Sequence, residues 1–307
     1  MQTAVQNIKK QRIFFALGTV NTLTYFDSAD EQAVNEAVHR VRQLHDMLSA
    51  FDVNSEISKI NFSAGKAPVR VSPETLKLVT DSVIYSRLTG GTFDITTRCL
   101  SKLWKSAIST GIEPLDSEIE NALLLTGWRD ILIDKKRKTV MLRREGMKMD
   151  LGAIAKGYAA DEVRKIFVRH RIENAIINLG GTVITMGENT IGLQDPFRKT
   201  GASFASIRLA DKAVVSSGTY EQCLKKDGTL LHHIIDPKTG YPAATELVSV
   251  TLTGDSAEEL DALSTSVLML GIKKGMALLK ERGIEGIFVT NDGRVYATEG
   301  LKDILTI

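Results

Sequence analysis

Asp261 and Thr265 stand four residues apart in the run Asp261-Ala-Leu-Ser-Thr-Ser266, which has helical periodicity, so a carboxylate and a hydroxyl share one helix face. That makes two hard oxygen donors one turn apart. Two protein ligands are too few for a calcium cage. They suit magnesium, which keeps waters and accepts phosphate oxygens from a substrate. Taken alone, the pair also fits an exposed Asp and a Thr bonded to its own helix. In Asp150-Leu-Gly-Ala-Ile-Ala-Lys-Gly-Tyr-Ala-Ala-Asp161, a strand gives way to a small-residue turn and then a helix. Such a helix start aims N–H groups outward and favours anions, and Lys156 adds positive charge. The segment is neither a Walker loop nor a GxGxxG, and small residues also serve tight helix packing.

Other segments carry similar residues. Thr89-Gly-Gly-Thr-Phe-Asp-Ile-Thr96 puts two glycines at a helix end, where they permit a turn with positive φ and close approach to a ligand, with Asp94 just beyond. Asn178-Leu-Gly-Gly181 is a second glycine pair after a strand. His232-His233-Ile-Ile-Asp-Pro-Lys-Thr-Gly-Tyr-Pro242 contains a turn signature at Asp236–Gly240, with His233 and Asp236 at its entrance. Adjacent histidines in an extended segment face opposite ways, so at most one faces a site. Together these segments point to a phosphate-bearing ligand with a divalent cation, without identifying the ligand.

The elements that must position these residues are legible in part. Ile13 to Leu17 reads as the first strand and Thr19 to Phe26 as the next. Ser28 with Glu31 forms a capping box for an amphipathic helix over 30–48. Ser72-Pro73 starts a second helix, which stops at Gly90-Gly91. A hairpin over 131–142 turns at the basic tip Asp134–Lys138. Ile154 to Val168 reads as helix and Ala175 to Asn178 as a short strand. Several strand-like runs fill 204–252. Ser256 with Glu259 caps a helix over 257–270, and Lys273 to Arg282 is a further helix. Residues 286–298 form a hairpin turning at Asn291-Asp292-Gly293. Strands and helices do not alternate strictly, which favours α+β, with mixed or antiparallel sheets flanked by helices, over a doubly wound parallel sheet. With no linker between halves, residues 1–307 are expected to form one compact unit with room for two lobes.

Composition narrows the class. The chain has 307 residues, 43% hydrophobic, and a net charge of +2 from 39 basic and 37 acidic residues. That balance excludes disorder as the dominant state and argues against a general nucleic-acid binder. Cys99 and Cys223 match no disulfide framework or metal spacing and read as free thiols. No apolar run approaches the roughly 18 residues of a membrane span. The N-terminal run is too short for a signal segment, so the expected location is cytoplasmic, unless an export signal has been removed.

The motifs, taken in order, resemble the ApbE family, the FAD:protein FMN transferases. Leu17-Gly-Thr19 is similar to the family's opening Met-Gly-Thr. Ser49-Ala-Phe-Asp-Val-Asn-Ser-Glu-Ile-Ser-Lys-Ile-Asn61 is similar to its Ser-x-Phe/Tyr…Ser-Glu-Ile-Ser…Asn stretch. The Gly-Gly-x-Phe-Asp-Ile-Thr, Asp-Leu-Gly-x-Ile-Ala-Lys-Gly-Tyr and Asn-x-Gly-Gly segments follow, then Ser217-Gly218, His-x-Ile-Asp-Pro-x-Thr-Gly and Asp-Ala-Leu-x-Thr. The resemblance implies cleavage of FAD at its pyrophosphate, attachment of FMN to a Thr or Ser of a target protein, release of AMP, and a magnesium requirement. It implies that Asp261 and Thr265 are side-chain ligands of Mg²⁺, with the backbone carbonyl of Ala153 as a third. It places Leu17, Phe51, Thr92, Phe93, Asp94, Asp150, Lys156 and Ile235 at flavin-contacting positions. His233 matches the family His nearest the reacting centre and is the candidate general base. Phe51 and Phe93 offer apolar faces for the isoalloxazine or adenine ring, although core packing explains them equally well.

Two places depart from the family pattern. Leu17 stands where Met is usual, and Arg98-Cys99 where Gly-Pro is common. A magnesium-dependent FAD pyrophosphatase on the same site, or a non-catalytic FAD-binding module, remains open at this level. A nicotinamide oxidoreductase needs a strand–GxGxxG–helix unit, which is missing. An open sheet edge near the site would suit an extended acceptor peptide.

Overall fold

A computed structural model describes residues 8–26, 29–226 and 229–307. The chain opens with the hairpin β1 (Lys9–Ala16) and β2 (Thr19–Phe26), then α1 (Glu31–Leu48), α2 (Glu56–Phe62), β3 (Val69–Arg70) and α3 (Pro73–Leu88). Next come α4 (Arg98–Thr110), α5 (Asp116–Leu124), the hairpin β4 (Ile131–Asp134) and β5 (Thr139–Leu142), and α6 (Ala155–Arg169). The strands β6 (Ala175–Leu179), β7 (Thr182–Met186), β8 (Glu188–Gln194), β9 (Ser203–Ala210), β10 (Ala213–Gly218), β11 (Cys223–Lys226), β12 (Thr229–His232) and β13 (Leu247–Gly254) follow. The chain closes with α7 (Ala257–Arg282), β14 (Glu285–Thr290), β15 (Val295–Ala297) and β16 (Leu305–Thr306).

Eight strands form the central sheet, in the order β1-β2-β6-β7-β10-β13-β14-β15, with each neighbouring pair antiparallel. Side chains alternate across it as the period-two rule requires. Leu23, Ile177, Ile184, Val215 and Leu252 point to the face covered by α1, α6 and α7 and build the main core. On the other face, Val214 and Ile287 meet Leu193, Ile207 and Leu209 of the small sheet β16-β9-β8. A third cluster, around Trp104, joins α4 and α5 to Leu231 and Ile235. Mixed helices and antiparallel sheets make the fold α+β, as the sequence predicted.

The start and stop signals mostly hold. Ser72 caps α3, with Pro73 in its first turn. Ser256 caps α7, accepting from the Glu259 N–H. Gly271, at φ 74 and ψ −179, breaks α7 where the two predicted helices were divided. Helix α7 has the length and hydropathy of a membrane span, but Leu260, Leu263, Val267 and Leu268 are buried in the main core. One cap needs correction. Asp30 accepts from the Gln32 N–H and starts α1, whereas Ser28 lies outside the described residues.

Candidate active site

Sheet register gathers several predicted segments at one end of the molecule. Asn21 pairs with Leu179, Leu179 with Thr182, and Thr182 with Val215. The Leu17-Gly18 turn, the Gly180-Gly181 turn and Ser217 therefore share that end. From β2 to β10 is three strand spacings, about 14 Å. Leu17 and Gly18 both have positive φ, 54 and 73, the conformation a two-residue hairpin requires. Buried Asn21 secures the turn by donating to the carbonyls of Ala16 at 3.0 Å and Thr19 at 3.2 Å. Asn178 holds the adjacent turn by accepting from the Gly181 N–H.

The chemistry concentrates where α6 meets α7. The two helices approach so closely that a Cβ on Gly157 would lie 2.2 Å from the Ala257 carbonyl oxygen. Asp161 of α6 accepts from the N–H groups of Ala257 and Glu258 and so fixes the start of α7. One turn along α7, buried Asp261 accepts from the Gly157 N–H at 2.9 Å. The Lys156 ammonium lies 3.3 Å from Asp261 Oδ1 and 2.8 Å from the Gly152 carbonyl oxygen. The start of α6 does attract an anion, but that anion is the protein's own Asp261. This corrects the expectation of free outward N–H groups, since Ala155 donates to Leu151 and Gly157 to Asp261. Thr265 joins Ser217 across 3.1 Å, and Ser217 also bonds Ser264 at 2.8 Å.

This corner fits a small hard cation. A lysine ammonium already bridges a carboxylate and a turn carbonyl there, and hydroxyls stand beside them. Ala153 lies in that turn, one residue past Gly152, and is exposed. Among the described residues no three His, Cys, Asp or Glu converge, so the donor set is one carboxylate with neutral oxygens. Magnesium accepts such a set when substrate phosphates and water complete it.

Asp150 lies beside this corner. Its backbone N–H donates to Ile95, and its Oδ1 accepts from the Gly152 N–H at 2.8 Å, shaping the turn toward Lys156. Asn61 bonds both backbone groups of Met149 and anchors the approach to Asp150. Arg98 donates to Asp150 Oδ2 at 2.7 Å and to the Ala50 carbonyl at 2.8 Å, with its guanidinium 4.2 Å from the centre of the Phe51 ring. Phe51 itself is 76% exposed.

Other predicted positions are committed to packing. Phe93 is buried and meets Tyr85 edge to face, and its N–H donates to Thr89 Oγ1. Thr92 is also buried, and Ile235 sits in the cluster around Trp104. The Asp94 carboxylate accepts from Thr96 and from the Trp128 N–H, and burial raises its pKa despite those bonds. It organises the loop that leads into α4.

His233 is half-buried and follows β12, its N–H donating to the Gln222 carbonyl. Burial first, and then the neighbouring His232 and the positive charges of Lys105 and Lys156, push its pKa below the usual histidine value, against the opposing bond to the Gln222 carbonyl. The imidazole is therefore neutral at pH 7, as a proton acceptor must be. Its neighbour His232 is buried, with Nδ1 unpartnered. Asp161 and Arg98 take part in this arrangement and the sequence reading had given them no role. Arg98 stood out only as a departure from a pattern.

Known proteins share this sequence pattern and this fold. Residues 17–288 match the model of the ApbE family. A Klebsiella pneumoniae protein named FAD:protein FMN transferase is 37% identical over 266 residues, covering 86% of this chain and 84% of its own. A Treponema pallidum protein of the same name is 32% identical over 297 residues, covering 90% of this chain and 82% of its own. The crystal structure of the ApbE protein from Thermotoga maritima superposes with a TM-score of 0.87 at 31% identity, covering 97% of this chain and 99% of that one. The flavin transferase ApbE from Vibrio cholerae does so at 0.86 and 26% identity, with the same coverages.

Proposed function

The chain belongs to the ApbE family, and from that premise we infer that it is an FAD:protein FMN transferase. It cleaves the FAD pyrophosphate, joins FMN through a phosphoester to a Thr or Ser hydroxyl of a target protein, and releases AMP. The observation that carries this reading is the corner where Lys156 and the Gly157 N–H converge on buried Asp261, with Thr265 and Ser217 alongside. It offers a concentrated charge pair and hard oxygens at a helix junction, suited to a pyrophosphate and its counter-cation.

We assign Mg²⁺ to this corner, held by the Asp261 carboxylate, the Thr265 hydroxyl and the Ala153 carbonyl. When bound, the ion neutralises charge on the pyrophosphate and orients it. The chain's own residues do the rest. Lys156 presents a second positive charge to the phosphates. His233 takes the proton of the acceptor hydroxyl on a ring nitrogen. The freed oxygen attacks the phosphorus on the FMN side. The bond from that phosphorus to the bridging oxygen breaks, and AMP departs with the bridging oxygen. Phosphoryl transfer of this kind depends on placement and charge neutralisation more than on covalent chemistry by the protein. Leu17, Phe51 and Asp150 present side chains to the flavin. Thr92, Phe93, Asp94 and Ile235 shape the wall or meet the ligand through their backbone.

Asp261→Asn tests the assignment, since the amide still accepts from Gly157 but loses the charge. The expected result is a folded protein whose AMP release falls more than about a hundredfold, as the loss of several kcal/mol of charge stabilisation implies. Full activity of this variant, or of the wild type in excess chelator, would contradict the assignment.

A further inference from the structure

Arg98 opens α4 and reaches back into the two loops that hold Phe51 and Asp150. Its contacts are of three kinds. Nη1 pairs with Asp150 Oδ2 at 2.7 Å, Nη2 bonds the Ala50 carbonyl at 2.8 Å, and Cζ of the guanidinium lies over the Phe51 ring, 4.2 Å from its centre. Glycine, common at this place in the family pattern, could make none of them. The Arg98 side chain is only 19% exposed, whereas Phe51 is 76% exposed. A large aromatic residue held open to solvent stabilises no core. Fixing it costs rotamer freedom that the fold does not recover by burying it. Ser49 Oγ also accepts from the N–H groups of Phe51 and Asp52, so both the loop and the ring are held. The other oxygen of Asp150 shapes the turn that leads to Lys156. One guanidinium therefore links an open aromatic face to the turn beside the phosphate corner.

We propose that Arg98 is a positioning residue for FAD: it pre-sets the Phe51 ring as a platform on whose free face a planar ring of FAD stacks, in register with the phosphate corner. This rests on the transferase reading above and goes further, because it gives a role to a residue outside the family pattern. Arginine suits the task because its planar fork binds a carboxylate and a carbonyl while stacking on an aromatic face. A platform ordered before binding spares the substrate the cost of ordering it.

Binding measured without magnesium tests this independently of turnover. FAD, FMN and AMP are titrated against wild type, Arg98→Gln, Arg98→Lys, Phe51→Ala and the Arg98→Gln/Phe51→Ala double variant, following flavin fluorescence and heat. Thermal unfolding is followed in parallel. Arg98→Gln should weaken FAD about tenfold, the scale of one lost stacking or charged contact. It should weaken FMN similarly and leave AMP unchanged. Arg98→Lys should fall between wild type and Arg98→Gln. In the Phe51→Ala background, the arginine substitution should cost less than about twofold. In turnover, KM for FAD should rise while kcat holds. Unchanged FAD affinity in Arg98→Gln would overturn the proposal, as would equal losses for FMN and AMP, or additive losses in the double variant. A wild type that binds FAD but fails these comparisons overturns only the role of Arg98. A wild type that binds no FAD either without or with Mg²⁺ overturns the transferase reading and this inference together. Should Arg98→Gln not fold, Arg98→Lys and exposed Phe51→Ala carry the same comparison.

Discussion

His233 is where acidity should act on the reaction. Burial, the adjacent His232 and the charges of Lys105 and Lys156 make its protonated form unfavourable in the folded protein, so it titrates below 6.5. A base that must be neutral is then mostly neutral at pH 7 and loses activity as the pH falls through its lowered value. Folding stability follows the same sign. The unfolded chain takes up this proton near 6.5 and the folded one only at lower pH, so stability is lost as the pH falls through that window. The predicted pH–rate profile has an acid limb below 6.5 in wild type that disappears in His233→Gln, whose residual rate is low and flat. A variant that keeps the wild-type limb would assign the proton to another group. At this scale the sequence identified the polar residues better than their uses. Asp94, Asp161 and Asn61 carry backbone hydrogen bonds that hold the site's loops. Their partners lie 34, 97 and 88 residues away, beyond any local pattern. Arg98 eluded the reading for the same reason, bonding residues 48 and 52 positions away.

Among the elements, the crossing of α6 and α7 decides the site's geometry. Gly157 is required there by space. Its helical backbone suits any residue, but a methyl group would lie 2.2 Å from the Ala257 carbonyl oxygen. That oxygen belongs to backbone and cannot swing aside as a side chain would. Gly157→Ala is expected to push the helices apart, lengthen the Gly157–Asp261 bond, and cost about 3 kcal/mol or more, the range of overpacked buried contacts. The measurements are a denaturant midpoint and metal-dependent turnover, both of which should drop. Wild-type values of both would show that α7 can shift without consequence. Small residues in this segment left tight packing and anion binding equally open in the sequence. The structure finds both, with Asp261 as the anion. Three helices escaped the sequence reading for physical reasons. Helix α2 has only seven residues, and α4 and α5 start at Thr97 and Leu115 without a side-chain cap. Helices α1, α3 and α7 carry polar caps, and they were legible.

Across the whole molecule, an antiparallel sheet with helices on one face brings distant segments to one end. The α+β class followed from the irregular sequence of strands and helices, but strand order did not. The neighbours β2 and β6, or β7 and β10, are separated by long stretches of chain, and their pairing depends on which faces bury together rather than on local propensity. Strand β8, with its polar alternation Glu-Asn-Thr-Ile-Gly-Leu-Gln, gave no buried face to read. The assembled end, with Leu17 at one side and Thr265 and Ser217 at the other, spans about three strand spacings, the scale of a dinucleotide lying across it. The central claim is that this end moves FMN from FAD onto a protein hydroxyl. The most direct test incubates the protein with FAD and Mg²⁺, with and without a flavin-acceptor protein, and follows AMP together with acceptor mass. The account predicts AMP in proportion to acceptor, with the acceptor gaining one FMN by phosphoester linkage. AMP released at the same rate without acceptor, and no added mass, would contradict it and make the protein a pyrophosphatase.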